Sequence, residues 1–191
     1  MLSQSIQPAS AVMSLGRYAP WQRIGAWSCI GCGGCCSHFR VILRPYEYAL
    51  ISKLYGQNTV QIDSIGNPCL KEVGGRCVFQ DSHGLCVLQP LGMKPLACKV
   101  WPFAVCSKPI RKHNDHEALF VHKGRDYYVY VDRSYPCRGI GVGTLGKLCL
   151  TISETIELQQ NPTKSQLHST STLTAIGRSI NKSTAWLGLP V

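Results

Sequence analysis

Apolar residues along this chain come in short runs separated by glycine, proline and polar residues, and the runs change period from place to place. Val41-Ile42-Leu43 predicts a short strand. Pro45 then stands where a helix begins, and Tyr46, Ala49, Leu50 and Leu54 recur at helical spacing before Gly56, which predicts an amphipathic helix with those residues as its apolar face. Cys77-Val78-Phe79 and Cys86-Val87-Leu88 flank the turn-forming Gln80-Asp81-Ser82-His83-Gly84-Leu85, a pattern for a small hairpin or knuckle with a cysteine opening each arm. A second hairpin is predicted where Ala118-Leu119-Phe120-Val121 and Tyr127-Tyr128-Val129-Tyr130-Val131 flank Lys123-Gly124-Arg125-Asp126. Leu145, Leu148, Cys149, Ile152 and Ile156 keep helical spacing up to Pro162 and predict a helix over 144–160.

These elements are short for a chain of 191 residues, and they predict a small, irregular α+β domain with short hairpins and a few helices, stapled by metal. Residues 1–27 read as an N-terminal arm docking through Tyr18-Ala19-Pro20-Trp21, 28–160 as the cysteine-cluster domain, and 161–191 as a Ser/Thr-rich tail. No basic segment followed by an apolar stretch opens the chain, and no run is long enough for a membrane span, so a cytoplasmic protein is expected.

Composition adds two facts: a formal charge of +10 and eleven cysteines. The charge suits an anionic partner such as nucleic acid, and equally offsets a thiolate site, since four thiolates around a divalent ion leave about −2. In a reducing compartment a cysteine-dense pattern points to metal binding or catalysis rather than disulfides, and an odd number of thiols does not pair completely within one chain.

The cysteine spacing is specific. Cys29-Ile30-Gly31-Cys32-Gly33-Gly34-Cys35-Cys36 sets four thiols among glycines whose backbone turns tightly, and Cys77, Cys86, Cys98 and Cys137 follow. Thiolates so placed favour zinc or iron. Cys29, Cys32 and Cys35 open like a bacterial ferredoxin run, but the fourth cysteine at the usual interval and its proline are missing. A zinc knuckle pairing Cys29 and Cys32 with Cys77 and Cys86 fits as well, so spacing leaves the metal open.

Taken in order, the blocks Cys29-x-x-Cys32-Gly33-x-Cys35-Cys36, Gly75-x-Cys77-Val78-Phe79, Gly84-x-Cys86, Lys94-Pro95-x-x-Cys98-Lys99-x-Trp101-Pro102-Phe103 and Cys137-x-Gly139 resemble the CxxCxxCC, or YkgJ-like, family of zinc- or iron-chelating cysteine-cluster proteins. The resemblance implies Cys29, Cys32, Cys35, Cys36, Cys77, Cys86, Cys98 and Cys137 as metal ligands holding zinc or an iron–sulfur cluster of the 4Fe-4S kind, and leaves Cys69, Cys106 and Cys149 outside the set. Lys94 stands where the family has arginine, and Arg138 where it has proline. Eight thiols exceed what one tetrahedral ion or one cubane needs, so two sites are expected, with Cys35 and Cys36 pointing apart to serve one each, or else some of the cysteines do not ligate.

The roles implied are electron transfer or metal and cluster handling with a protein partner. A flagellin lysine methylase carries a similar cysteine set, which leaves a cluster-dependent protein-modifying enzyme as an alternative, although no catalytic residue stands out. A zinc-stapled nucleic-acid-binding module is the third reading. Three further features are expected to be ordinary structure. Gly141-Val142-Gly143-Thr144-Leu145-Gly146-Lys147 lacks the Ser or Thr of a phosphate loop and reads as a connection. Lys108, Arg111, Lys112, His113 and His116 read as a solvated loop, and Trp101-Pro102-Phe103 as an apolar lid over the cysteines.

Overall fold

A computed structural model describes residues 17–110 and 115–169. The outer part of the N-terminal arm, the basic positions Arg111, Lys112 and His113, and the far part of the Ser/Thr-rich tail lie outside the described residues. The architecture is α+β: four helices and several short antiparallel strands in small sheets.

The principal sheet is organised by its longest strand. Strand β1 (Tyr18–Pro20) belongs to the arm, and it is followed after the cysteine cluster and helix α1 (Gly34–His38) by α2 (Pro45–Tyr55). Two small hairpins come next, β2 (Val60–Ile62) with β3 (Pro68–Leu70), and β4 (Glu72–Val73) with β5 (Arg76–Cys77). Helix α3 (Leu96–Val100), strands β6 (Phe103–Cys106), β7 (Leu119–His122) and β8 (Arg125–Asp132), and helix α4 (Leu145–Gln160) complete the order. β8 pairs antiparallel with β6 along one edge, while β7 and β1 pair with successive halves of its other edge. The β7–β8 turn is tighter than predicted: Lys123 and Gly124 both take positive φ, 50° and 73°, the conformation a two-residue hairpin loop demands.

Two hydrophobic cores result. In the first, α4 lays Leu148, Ile152 and Ile156 against Val129, Val131 and Phe103 of the sheet, with Trp21 and Trp27 closing one side. α4 starts where the sequence places it, the Thr144 side chain accepting a hydrogen bond from the Lys147 N–H at 3.2 Å. Each fully buried aliphatic here contributes about 1.5–3 kcal/mol of transfer free energy. The second core gathers Val41, Leu43, Ile51, Val60, Leu70, Phe79 and Leu88 beneath α2.

Helix α2 has the predicted bounds but the opposite orientation. Tyr46, Leu50 and Leu54, the predicted apolar face, are exposed, while Glu47, Ile51 and Ser52 are buried and Tyr55 meets Phe79 edge to face at 5.1 Å. Two periodic stripes coexist on this helix, and packing against the Val41–Leu70 layer selects the one carrying Ile51. The predicted strand at Val41-Ile42-Leu43 is only a single bridge, Ile42 to Cys69, flanked by bonds from Leu43 N–H to Pro68 O and Leu70 N–H to Val41 O. Among the described residues, no helix is long and apolar enough to cross a membrane.

Candidate metal centre

Five cysteines from four separate blocks meet around one cavity. Cys35 and Cys36 arrive on α1, Cys77 at the end of β5, Cys86 from the knuckle and Cys98 from the middle of α3. Lys94 joins them in the wall, and Phe39, Val41, Leu70 and Trp101 supply its apolar part. The cavity has a volume of about 20 Å³, room for one water-sized body.

The cysteine-bearing segments are held by contacts outside the cavity. Gly33 takes φ 68° and comes so close to the knuckle that a Cβ there would stand 2.4 Å from the Gly84 carbonyl oxygen. Gln80 clips the same junction: its Nε2 donates to Gly33 O at 3.0 Å and to Gly84 O at 3.2 Å, and its Oε1 accepts from Ser37 Oγ at 3.3 Å. The knuckle is tied across its neck by Asp81 N–H to Leu85 O and Val87 N–H to Phe79 O rather than by a regular ladder. Glu47 does the equivalent for Cys98. Its buried carboxylate accepts from Leu96 N–H at 2.7 Å, at the start of α3, and from Arg44 N–H at 2.8 Å, at the start of α2. Sequence reasoning passed over both residues. Glu47 sits three residues into its helix like the acidic member of a capping box, a usable signal, whereas nothing local marks Gln80.

The remaining predicted ligands are arranged differently. Cys29 and Cys137 pack against the sheet-and-α4 core, and Trp27 Nε1–H donates to Cys137 Sγ at 3.4 Å. Cys36, Cys86 and Cys98 pack with Cys77 on the other core, so the cysteine set straddles the seam between the two. Cys32 is exposed. Cys69 in β3, Cys106 in β6 and Cys149 on α4 do not line the cavity.

The expectation that Cys35 and Cys36 point apart is not met. Both line the cavity, and the Cys36 thiol donates a hydrogen bond to the Cys35 sulfur, because one turn of helix at a glycine-preceded start turns the pair toward the same space. That bond holds the Cys35 thiol below its usual range against burial, and pushes Cys36 up. Burial pushes Cys77 up to about 11 and raises Cys29, Cys86 and Cys98 as well. These thiols are therefore costly to ionise without a cation, the condition under which metal binding and deprotonation occur together.

The lid expectation holds for one of its aromatic residues. Trp101 lines the cavity and packs on Phe39 at 4.5 Å, but Phe103 belongs to the other core, edge to face with Trp27 at 5.2 Å. The Trp101 indole N–H is buried with no hydrogen-bond partner. His38 stacks on Tyr135 at 4.2 Å, and Lys147, in the glycine-rich connection, bonds Ser28 Oγ at 2.7 Å.

The donor set suits a thiophilic ion: five sulfurs line an ion-sized space. Among the described residues the thiols surround the cavity without three of them closing to coordination geometry.

The family model for CxxCxxCC, described as a "putative zinc- or iron-chelating domain", matches residues 28–126, and the chain belongs to that family. That span takes in the whole cavity wall. No curated protein and no solved structure matches the chain.

Proposed function

We propose that this protein binds zinc or iron through cysteine thiolates at the cavity between α1, the knuckle and α3, and serves as a metal-handling or electron-transfer component working with a protein partner in the cytoplasm. The observation that carries this is the convergence of Cys35, Cys36, Cys77, Cys86 and Cys98, far apart in sequence, on one enclosed space. Cys77, Cys86 and Cys98, with Cys35 or Cys36, would supply four thiolates, and Cys29, Cys32 and Cys137 would form the outer part of the site. A cavity of about 20 Å³ matches a single ion with sulfur ligands at about 2.3 Å better than a cubane. The surplus of thiols favours a second reading, a 4Fe-4S cluster spread across the seam toward Cys29 and Cys137. A zinc centre would supply a structural or transferable ion, and a cluster would supply an electron-transfer site.

Metal and acid-labile sulfide per chain, measured with the absorption spectrum on protein purified without oxygen, decides between these. About one zinc or iron without sulfide supports the first reading, and about four irons with four sulfides supports the second. A folded protein that binds neither zinc nor iron would refute both.

A further inference from the structure

Helix α1 delivers two of the five cavity cysteines on little more than one turn, and it buries none of its residues, whereas α3, which delivers Cys98, buries Leu96. A helix this short has no stability of its own, so contacts from outside decide where Cys35 and Cys36 stand. The Gln80 clip and the packing of Phe39 on Trp101 tie it to the knuckle and to the cavity wall. A third contact comes from Tyr135, half-buried in the loop that runs from β8 to Cys137. Its ring stacks on His38, the last residue of α1, with centroids 4.2 Å apart and planes 18° from parallel. The same ring covers Gly34, the first residue of α1, where a Cβ would stand 2.8 Å from its Cε1 and from its hydroxyl oxygen. Gly33 and Gly34 are thus glycines for different reasons. Gly33 takes φ 68°, but Gly34 already has the helical backbone that suits any residue, so its missing side chain serves to admit the ring.

The loop behind the ring is tied to the segment that leads into Cys29: Ser28 N–H donates to Gly139 O at 3.1 Å, and Gly141 N–H donates to Ala26 O at 2.9 Å. Tyr135 therefore reaches across the seam, from the loop that places Cys137 on the sheet-and-α4 core to the helix that lines the cavity. It lies beyond residues 28–126 of the family match. Segments held by few buried contacts open first, and α1, with no buried residue, is such a segment of the wall. We propose that Tyr135 is the clasp of the centre: its ring, seated on Gly34 and His38, holds α1 closed and so governs how fast the cavity takes up and releases its metal ion. Tyr135 acts through α1 and is a positioning residue. The inference rests on the reading of the cavity as a metal site.

Zinc(II) is the probe, loaded onto the full chain and withdrawn by an excess of chromogenic chelator. Alkylation of Cys35 and Cys36 in the protein as purified, located by mass spectrometry, is a second readout that needs no metal signal. Tyr135→Ala removes the ring, Tyr135→Phe keeps it, and Gly34→Ala fills its seat. Tyr135→Ala and Gly34→Ala are each expected to release zinc about tenfold faster than wild type, while Tyr135→Phe stays within about twofold. Cys35 and Cys36 should be alkylated correspondingly faster in the first two, with Cys149 on α4 unchanged as the control for the rest of the fold. In the double variant Gly34→Ala should add nothing to Tyr135→Ala, because no ring is left to displace. Tyr135→Ala within about twofold of wild type in both readouts, Tyr135→Phe as fast as Tyr135→Ala, or a Gly34→Ala effect undiminished without the ring would each overturn the clasp. Wild-type protein that binds neither zinc nor iron would instead overturn the reading of the site, and alkylation would still decide whether Tyr135 holds α1.

Discussion

Replacing Glu47 by alanine tests how the fold holds Cys98 in place. The carboxylate is 7% exposed and accepts two backbone N–H bonds, from Leu96 at 2.7 Å and from Arg44 at 2.8 Å. Bonds of this charge-assisted kind contribute about 1.5–3 kcal/mol each, and a buried donor left without a partner costs a similar amount. The Leu96 bond is buried and counts nearly in full, whereas the Arg44 amide, at the start of α2, regains water and counts for less. The sum is about 3 kcal/mol, which for a chain of this size corresponds to a fall of about 6–12 °C in melting temperature. Glu47→Gln keeps one accepting oxygen but sets an amide N–H against the other donor, and should lose about half as much. Thermal unfolding followed by circular dichroism on the protein as purified, with metal content measured in parallel, reads both effects. Because α3 carries Cys98, metal retention against a chelator should fall along with stability. A Glu47→Ala protein melting within about 2 °C of wild type would show that the carboxylate does not tie α2 to α3 and would refute this reasoning.

Other substitutions separate the site from the scaffold. Gly33→Ala, at φ 68° and with its new Cβ 2.4 Å from Gly84 O, should push the first cysteine loop off the knuckle and sharply lower metal content per chain while the β8 sheet persists by circular dichroism. Ile152→Ala, in the fully buried row of α4, should lower stability by about 2–5 kcal/mol in urea unfolding, with metal per chain unchanged in the folded protein. Glu157 is held down to about 2 by hydrogen bonds from Lys123 and Lys164, below its ordinary 4.5. Its contribution is therefore fully present above about pH 4.5 and is lost as pH falls toward 2. Glu157 is half-buried, but its partners Lys123 and Lys164 lie in solvent, so Glu157→Gln should flatten that acid limb by less than about 1 kcal/mol, and an equal loss at pH 7 and pH 2 would argue against the ion pairs.

Much of the secondary structure was legible because it depends on neighbours in sequence. The α4 stripe of Leu148, Ile152 and Ile156, its Thr144 start, the β7–β8 hairpin and the bounds of α2 follow from periodicity and turn residues acting within a few positions. The hairpins β2–β3 and β4–β5 escaped because strands of two or three residues carry too little alternation to register. The order of cysteine blocks likewise identified the family from residues alone.

What the chain by itself determined, then, is the local geometry and the inventory of thiols, since each depends on which residues stand near one another in sequence. The tertiary structure decided everything that depends on long-range packing. It chose the Ile51 stripe of α2 over the Tyr46, Leu50 and Leu54 stripe, although both have helical period, because only one can face the Val41 and Leu70 layer while Glu47 reaches Leu96. It turned Cys35 and Cys36 into one cavity and split the cysteine set across the seam between two cores. Burial, charge and hydrogen bonding at these positions are properties of residues brought together from distant parts of the chain, and no window of sequence contains them.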